Sequence, residues 1–256
     1  MDSDAIRGGR NCSKYWLLLV VQAYVKSVHS AFLDDLVYGR IGFLQVYKSG
    51  YFKNREGGSL KFAFVEDSKL REKILRIAEV KAIMPRLSFV GALSVPQVDD
   101  SVLQTNLIID AHDEADAKEV IPILSQSIIR GRMFNSRAAN EMVFHWSVAE
   151  VYSFAYPSKK WANDMQPALL VPGSDGVIHS RLISPIGEFR DSFSNGHPVG
   201  VMSLKSAQDL LGMPNLITSY SLNLRNPESI DITRKLVQRE LGDEFEVKSW
   251  VPPVAG

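Results

Sequence analysis

The 256-residue sequence predicts an α+β fold in which a split, ferredoxin-like lobe is interrupted by a β-rich lobe. Three observations carry this reading. The order strand, helix, strand occurs near the start of the chain and recurs near its end, and two such units fit together as one sheet with two helices on one face. Between them lie about a hundred residues of short apolar runs punctuated by glycine, proline and asparagine. The composition, 45% hydrophobic and 23% charged, is that of a globular chain with ample core, and at about 150 residues per domain the length corresponds to one large or two modest domains. A discontinuous first domain costs little where its two crossing points lie close together.

Residues 1–14 are polar, include Gly8 and Gly9, show no apolar period and are expected to be a disordered start. From 15 to 38, Leu18, Val21, Val25, Val28, Phe32 and Leu36 recur at helical spacing, which predicts about six turns of helix. The first half of this helix is apolar almost all round, as in a buried helix or the outer end of a segment that continues into a membrane. A strand follows at 41–48, then a turn-rich stretch at 49–59 with Gly50, Gly57 and Gly58. Asp67 or Ser68 caps a helix whose apolar stripe is Leu70, Ile74, Ile77 and Ala78, and extended segments are expected at 80–89 and 91–95.

The middle reads as a strand at 103–110, an acidic loop and a short helix near 119–129. A strand at 142–146, a helix at 147–155 and strands at 168–171, 177–189 and 199–203 follow, with a helix at 205–211 leading back. The closing unit is a strand at 219–224, a helix opened by Pro227 and running through Ile230, Leu236, Val237 and Leu241, and a strand at 244–250.

Charge and motifs remove several function classes. Lys plus Arg and Asp plus Glu both number 29, so no overall basic field favours nucleic acid or anionic lipid. The single Cys12 forms neither an internal disulfide nor a cysteine zinc cluster, and it stands before the apolar stretch, the reverse of a lipoprotein signal. No run reaches the roughly 18 apolar residues of a spanning helix. No phosphate-binding loop, dinucleotide fingerprint or serine-hydrolase elbow is present. Gly173-Ser174-Asp175-Gly176 between two apolar runs signals a tight hairpin turn.

Asp110, His112, Asp113, Glu114 and Asp116 form the best local cluster for a hard cation. Without the glycine and closing glutamate of a calcium loop, their plainer role is capping and dipole complementation of a helix at 117–124. The five histidines match no zinc spacing. Arg130, Arg132 and Arg137, with Lys159 and Lys160, give one part of the middle a basic character, read by default as a solvated face. Trp146, Trp161 and Trp250 default to core packing.

Several segments together resemble the extracytoplasmic domain of ABC-transporter permeases of the MacB and lipoprotein-releasing LolC/LolE type. Phe32-Leu33-Asp34-Asp35-Leu36, then Gly42-Phe43-Leu44-Gln45-Val46-Tyr47 and Gly50-Tyr51, are similar to that family's end of the first membrane helix and its following strand. Val80-Lys81-Ala82-Ile83-Met84-Pro85-Arg86-Leu87 with Gly91 is similar to the strand after the first small helix, and the acidic stretch from Asp110 to Glu114 matches in place. Ile128-Ile129-Arg130-Gly131-Arg132, the stretch 199–211 and the closing stretch 245–250 complete a likeness over residues 28–250, carried by order and spacing. The chain departs from the family at His145-Trp146-Ser147-Val148-Ala149-Glu150. It also has only the short turn 171–177 where LolC carries an extended hook for a periplasmic carrier.

The resemblance implies a stalk helix at 15–40, a porter lobe at 41–102 and 213–250, a sabre lobe at 103–212 and a lead into a second membrane helix at 251–256. It implies a segment on the extracytoplasmic side of the inner membrane, in a permease dimer coupled to a cytoplasmic ATPase subunit that carries the ATP. The work would be lipoprotein release or MacB-like export, relaying ATP-driven closure, with a periplasmic carrier or adaptor as a further partner. No catalytic residue, cofactor or metal is then expected in this chain. Arg130, Arg132 and Arg137, and the hairpin tip Gly173, Ser174, Asp175 and Gly176, are the expected partner-facing residues. Two rivals are a free-standing extracytoplasmic module binding a ligand or lipid between the lobes, and a metal-dependent hydrolase using Asp110, His112 and Asp113.

Overall fold

The computed structural model describes residues 16–249 apart from 17–19, 26, 29, 30, 32, 54–58, 98, 136–139, 153–165, 174–176 and 192–197. The expectations for residues 1–14 and 251–256, and those for Arg137, Lys159, Lys160, Trp161, Ser174, Asp175, Gly176 and Trp250, lie outside these. The described residues from 20 to 36 are helical, and Trp16, Val20, Val21, Tyr24, Val25 and Val28 are all exposed. No helix among the described residues is long and apolar enough to cross a membrane.

The helix does not stop where periodicity ends it. Its last turn widens into a π-helical turn, Val37–Ile41, closed by the Gly42 amide donating to the Val37 carbonyl. Gly42 then turns the chain with φ of 74°, where an added Cβ would lie 2.8 Å from the Leu222 carbonyl oxygen. The first strand, β1 (Leu44–Lys48), therefore begins three residues later than expected. After β2 (Phe64–Val65), Asp67 accepts from the Lys69 amide at 2.9 Å and caps α1 (Ser68–Leu75), as the sequence indicates. Ile74 is its buried residue, while Ile77 and Ala78 follow the helix.

The two extended segments expected at 80–95 are one 17-residue strand, β3 (Val80–Pro96), followed by β4 (Val102–His112). The helix expected near 119–129 starts earlier and is cut by proline. It forms α2 (Glu114–Val120) and α3 (Pro122–Gln126, proline in its first turn), and Ile128 opens strand β5 (Ile128–Gly131). Asp113 stands at the N-cap of α2 but makes no capping hydrogen bond; Glu114 and Asp116 occupy the first turn. Strand β6 (Glu141–His145) leads into α4 (Trp146–Val151), and β7 (Ala168–Pro172) follows. The single strand expected at 177–189 is two, β8 (Ile178–Leu182) and β9 (Ser184–Phe189), with different partners.

β10 (Val199–Ser203) matches its periodicity and leads into α5 (Leu204–Leu211), capped by the Ser203 side chain and ended by Gly212 in the left-handed conformation. The chain closes with β11 (Leu216–Ile217), β12 (Ser219–Leu224), α6 (Ile230–Leu241, entered through a short helical turn at Pro227) and β13 (Phe245–Ser249).

Among the described residues, eleven strands form one sheet ordered β13-β1-β12-β3-β4-β10-β6-β9-β5, with β7 on the far half of β3 and β8 on β7. β13, β1, β12 and β3 are antiparallel throughout, the sheet order of a split βαβ pair. The first half of β3 pairs with β12, and from Leu87 onward it pairs with β4. One core cluster joins Leu44, Val46, Tyr220 and Leu222 to Ile74 of α1, Ile230 and Val237 of α6 and the apolar side of α5. A second, containing Met84, Val143 and Val201, is covered by Ala117 and Val120 of α2 and Leu124 of α3.

Candidate functional site

Of the predicted partner-facing arginines, the described ones, Arg130 and Arg132, lie at the end of the sheet. Gly131 has φ of 72°, and a Cβ there would collide with the Ile186 carbonyl oxygen, so only glycine lets β5 close on β9 at this point. Arg130 and Arg132 flank it with exposed heads already engaged. Arg130 Nε lies 3.5 Å from Glu188, and the Arg132 guanidinium holds both oxygens of Glu141. Those hydrogen bonds from Arg132 hold the Glu141 carboxyl below its ordinary range. The hairpin is set by the β7–β8 register, Pro172 against Ile178, and by the Gly173 amide donating to the Val177 carbonyl at 2.7 Å. β5 ends the sheet whereas β7 and β8 branch from β3, so no strand pairing among the described residues brings these two segments together.

The charged cluster best ordered by the fold lies elsewhere, under the end of the N-terminal helix. Register places Ser88 of β3 opposite Asp110 of β4, and Ser219 of β12 opposite Arg86 of β3. Arg86 and Asp110 form a buried ion pair, Ser88 Oγ donates to Asp110 Oδ1 at 2.7 Å, and Arg40 Nη2 stands 3.7 Å from Asp110 Oδ2. Burial works to raise the Asp110 pKa. The charges of Arg86 and Arg40 and the hydrogen bonds from Ser88 and Arg86 overcome that and hold it at about 2. His112, two residues on, is buried; desolvation, reinforced by Arg86, lowers its pKa to about 4 and keeps the imidazole neutral near pH 7.

The same cluster fastens the helix end to the sheet. Arg86 Nη1 donates to the Arg40 carbonyl at 3.1 Å, and Gln45 Nε2 donates to the Ile41 carbonyl at 3.1 Å, so both β3 and β1 hold the π-helical turn. A cleft of about 370 Å³ opens beside it. Arg40, Arg86 and Asp110 supply its charge, Leu36, Ile41 and Ile108 its apolar wall, and Tyr47 and Tyr51, stacked at 4.5 Å between ring centroids, its aromatic side.

Of the residues proposed for a metal-dependent hydrolase, Asp110 is spent on two guanidinium groups and a hydroxyl, a cationic setting that disfavours a metal ion. Asp116, in the helix beyond, accepts from Arg71 at 2.7 Å. Among the described residues no group of three or more His, Cys, Asp or Glu is placed to hold a metal. Where the sequence departs from the permease pattern, His145 caps α4 through Ser147 and lies 3.6 Å from Asp191.

The Arg86–Asp110 pair did have a sequence signal. A single charge interrupts each of two apolar runs, Met84-Pro85-Arg86-Leu87 and Ile108-Ile109-Asp110-Ala111, and a charge buried in a strand requires a partner.

No protein-family model matches the sequence, and no curated protein matches it. Solved structures do. The periplasmic region of MacB from Actinobacillus actinomycetemcomitans superposes with a TM-score of 0.51 at 11% identity, over 82% of this chain and 90% of that one. The extracellular domain of the noncanonic ABC-type transporter YknZ from Gram-positive bacteria gives 0.49 at 10% identity, over 80% and 99% respectively. The chain therefore shares the fold of the MacB periplasmic region.

Proposed function

We propose that this chain is the extracytoplasmic domain of an ABC-transporter permease subunit, held in the inner membrane by flanking helices and working as a dimer with a cytoplasmic ATPase. The observation that carries the reading is where the chain enters and leaves the body. Leu44 at the start of β1 pairs with Ser249 at the end of β13, so entry and exit lie side by side, as two neighbouring membrane helices require. The apolar, exposed helix before residue 36 and the fold shared with a periplasmic transporter region support it.

In this reading the ATPase's closure reaches the body through the helix end. Arg86 and Gln45 then pass it to β3 and β1, in lipoprotein release or MacB-like export with a periplasmic carrier or adaptor. The test is the coding sequence around this segment and its neighbouring genes. Further membrane helices and an ATPase with a Gly-Lys-Ser or Gly-Lys-Thr loop are expected, and their absence would overturn the proposal. Deleting 173–176 should reduce transport and leave the fold intact; because 130–137 contains the buried Phe134 and the end of β5, the arginine segment is tested instead by Arg130→Ala with Arg132→Ala, with the same expectation, and unfolding would make either segment structural. The cleft favours a second reading, a free-standing ligand-binding module, which predicts a raised melting temperature with ligand in a chain that needs no ATPase.

A further inference from the structure

We infer that the outer face of the sheet beyond the helix end is the surface through which two copies of this chain meet. The face is made by the alternate residues from Val90 to Pro96 on β3, Val102 to Ile108 on β4, Ala168 to Pro172 on β7 and Ile178 to Leu182 on β8, which the strand registers set side by side. The residues between them point the other way, where Leu93 and Leu169 are buried and Arg181 donates to the Ser206 carbonyl of α5 at 3.1 Å. The outward set has four residues each on β3 and β4 and three each on β7 and β8; every one is at least partly exposed, and none is charged. Charge concentrates on surfaces, and the chain is 23% charged, so about three charged residues are expected on a face of this size.

Charge, relief and size select a second copy as the occupant. In a two-fold contact each group meets its own counterpart or a near neighbour of it, so any net charge on the face would be set against itself, and a face without charge avoids that repulsion. The relief is self-complementary. Val90 beside Ile108 and Pro172 beside Ile178 form an apolar ridge, and next to it Ala92, Ser94 and Ala168 form a trough of small side chains. A copy turned about a two-fold axis lying between ridge and trough, across the strands, sets its ridge into this trough and offers its own in return. Four strands about 4.8 Å apart, each contributing about 20 Å of length, give a footprint of about 400 Å². Twice that is below the roughly 1,200 Å² at which stable interfaces begin, so the face suits copies already held close together better than a foreign partner captured from dilute solution. That proximity rests on the permease reading, in which two subunits share one membrane.

The test is sedimentation of the 256-residue protein between about 1 μM and about 1 mM, which should show monomer passing to dimer and no further, because an isologous contact closes at two. Val90→Glu and Ile178→Glu, at positions 57% and 69% exposed, should each weaken the dimer at least about tenfold by placing like charges across it, with melting curves matching the parent. Ile232→Glu, at a position equally open on α6 and outside the face, should leave it unchanged. A monomer throughout, growth beyond a dimer, or equal loss in Ile232→Glu would overturn the assignment. So would loss in Val25→Glu with none in the two face variants, which would put the contact on the exposed N-terminal helix. A monomer that binds phosphatidylcholine vesicles, and loses them in Val90→Glu and Ile178→Glu, would give the face to lipid instead. No ATPase enters these measurements, so failure of the interface and failure of the permease reading, which the neighbouring genes test, are seen separately.

Discussion

Strand β3 uses its two faces differently. On one, Ile83, Leu87, Phe89, Leu93 and Val95 enter the large core beside α5, α1 and α6. On the other, beyond the buried Met84, Arg86 and Ser88 meet Asp110 and the end of the N-terminal helix, and Val90 beyond them is 57% exposed. The first face holds the molecule together by apolar area, which is non-directional and tolerant. The second joins separate elements by directed bonds, at the point where a displacement of the helix would be felt by β1, β3 and β4. The difference gives one face apolar cohesion and the other directed bonds that tie the helix end to the sheet, the coupling that the proposed relay would use.

The contrast is broken most directly at neighbouring residues. Phe89→Ala should lower the unfolding free energy by about 3–5 kcal/mol in denaturant titration, the cost of deleting a buried aromatic ring. A loss below about 1 kcal/mol would show that the apolar face is not the stabilising one. Asp110→Ala leaves Arg86 buried and unpaired and should cost a similar amount, about 3–5 kcal/mol. Its distinguishing mark is faster amide exchange at Ile41 and Gly42, because the Arg86 anchor on the Arg40 carbonyl loosens.

Acid sharpens the same contrast. The unfolded chain takes up a proton on His112 near the ordinary 6.5, whereas the folded state resists until about 4, so stability falls by about 3 kcal/mol as pH drops through that window. His112→Gln should flatten that part of the profile. Asp110 acts lower: its contribution, about 2 kcal/mol, is present above the ordinary 3.8 and is lost as pH falls toward about 2. Ser88→Ala, which removes one hydrogen bond to that carboxylate, should cost about 1–2 kcal/mol, read as a shift of the denaturant midpoint. Val90→Ala should change stability by less than about 0.5 kcal/mol.

The ferredoxin-like order and most elements were legible in the sequence because each carries its own period, cap or breaker. β10, β12 and α5 are examples, and so is the Asp67 cap of α1. The failures have physical causes. Gly91 read as a break in β3, but it serves close packing: a Cβ there would lie 2.8 Å from Ile109 Cδ1 across the β3–β4 pair. Pro122 divides what apolar spacing joined, and the change of partner between β8 and β9 leaves no local trace. The polar site was legible only as odd charges in apolar runs. Its assembly depends on β3–β4 register and on a π-helical turn, neither of which local periodicity encodes.

The measurement closest to the central claim is purification of the full-length protein, tagged at its own locus and extracted in detergent, followed by identification of its companion and assay of ATP hydrolysis. A permease subunit predicts a stoichiometric partner carrying a Gly-Lys-Ser or Gly-Lys-Thr loop, with hydrolysis altered when Arg86→Gln and Asp110→Asn together loosen the helix end. A protein that purifies alone, with no associated ATPase, would contradict the claim and leave the ligand-binding module as the function.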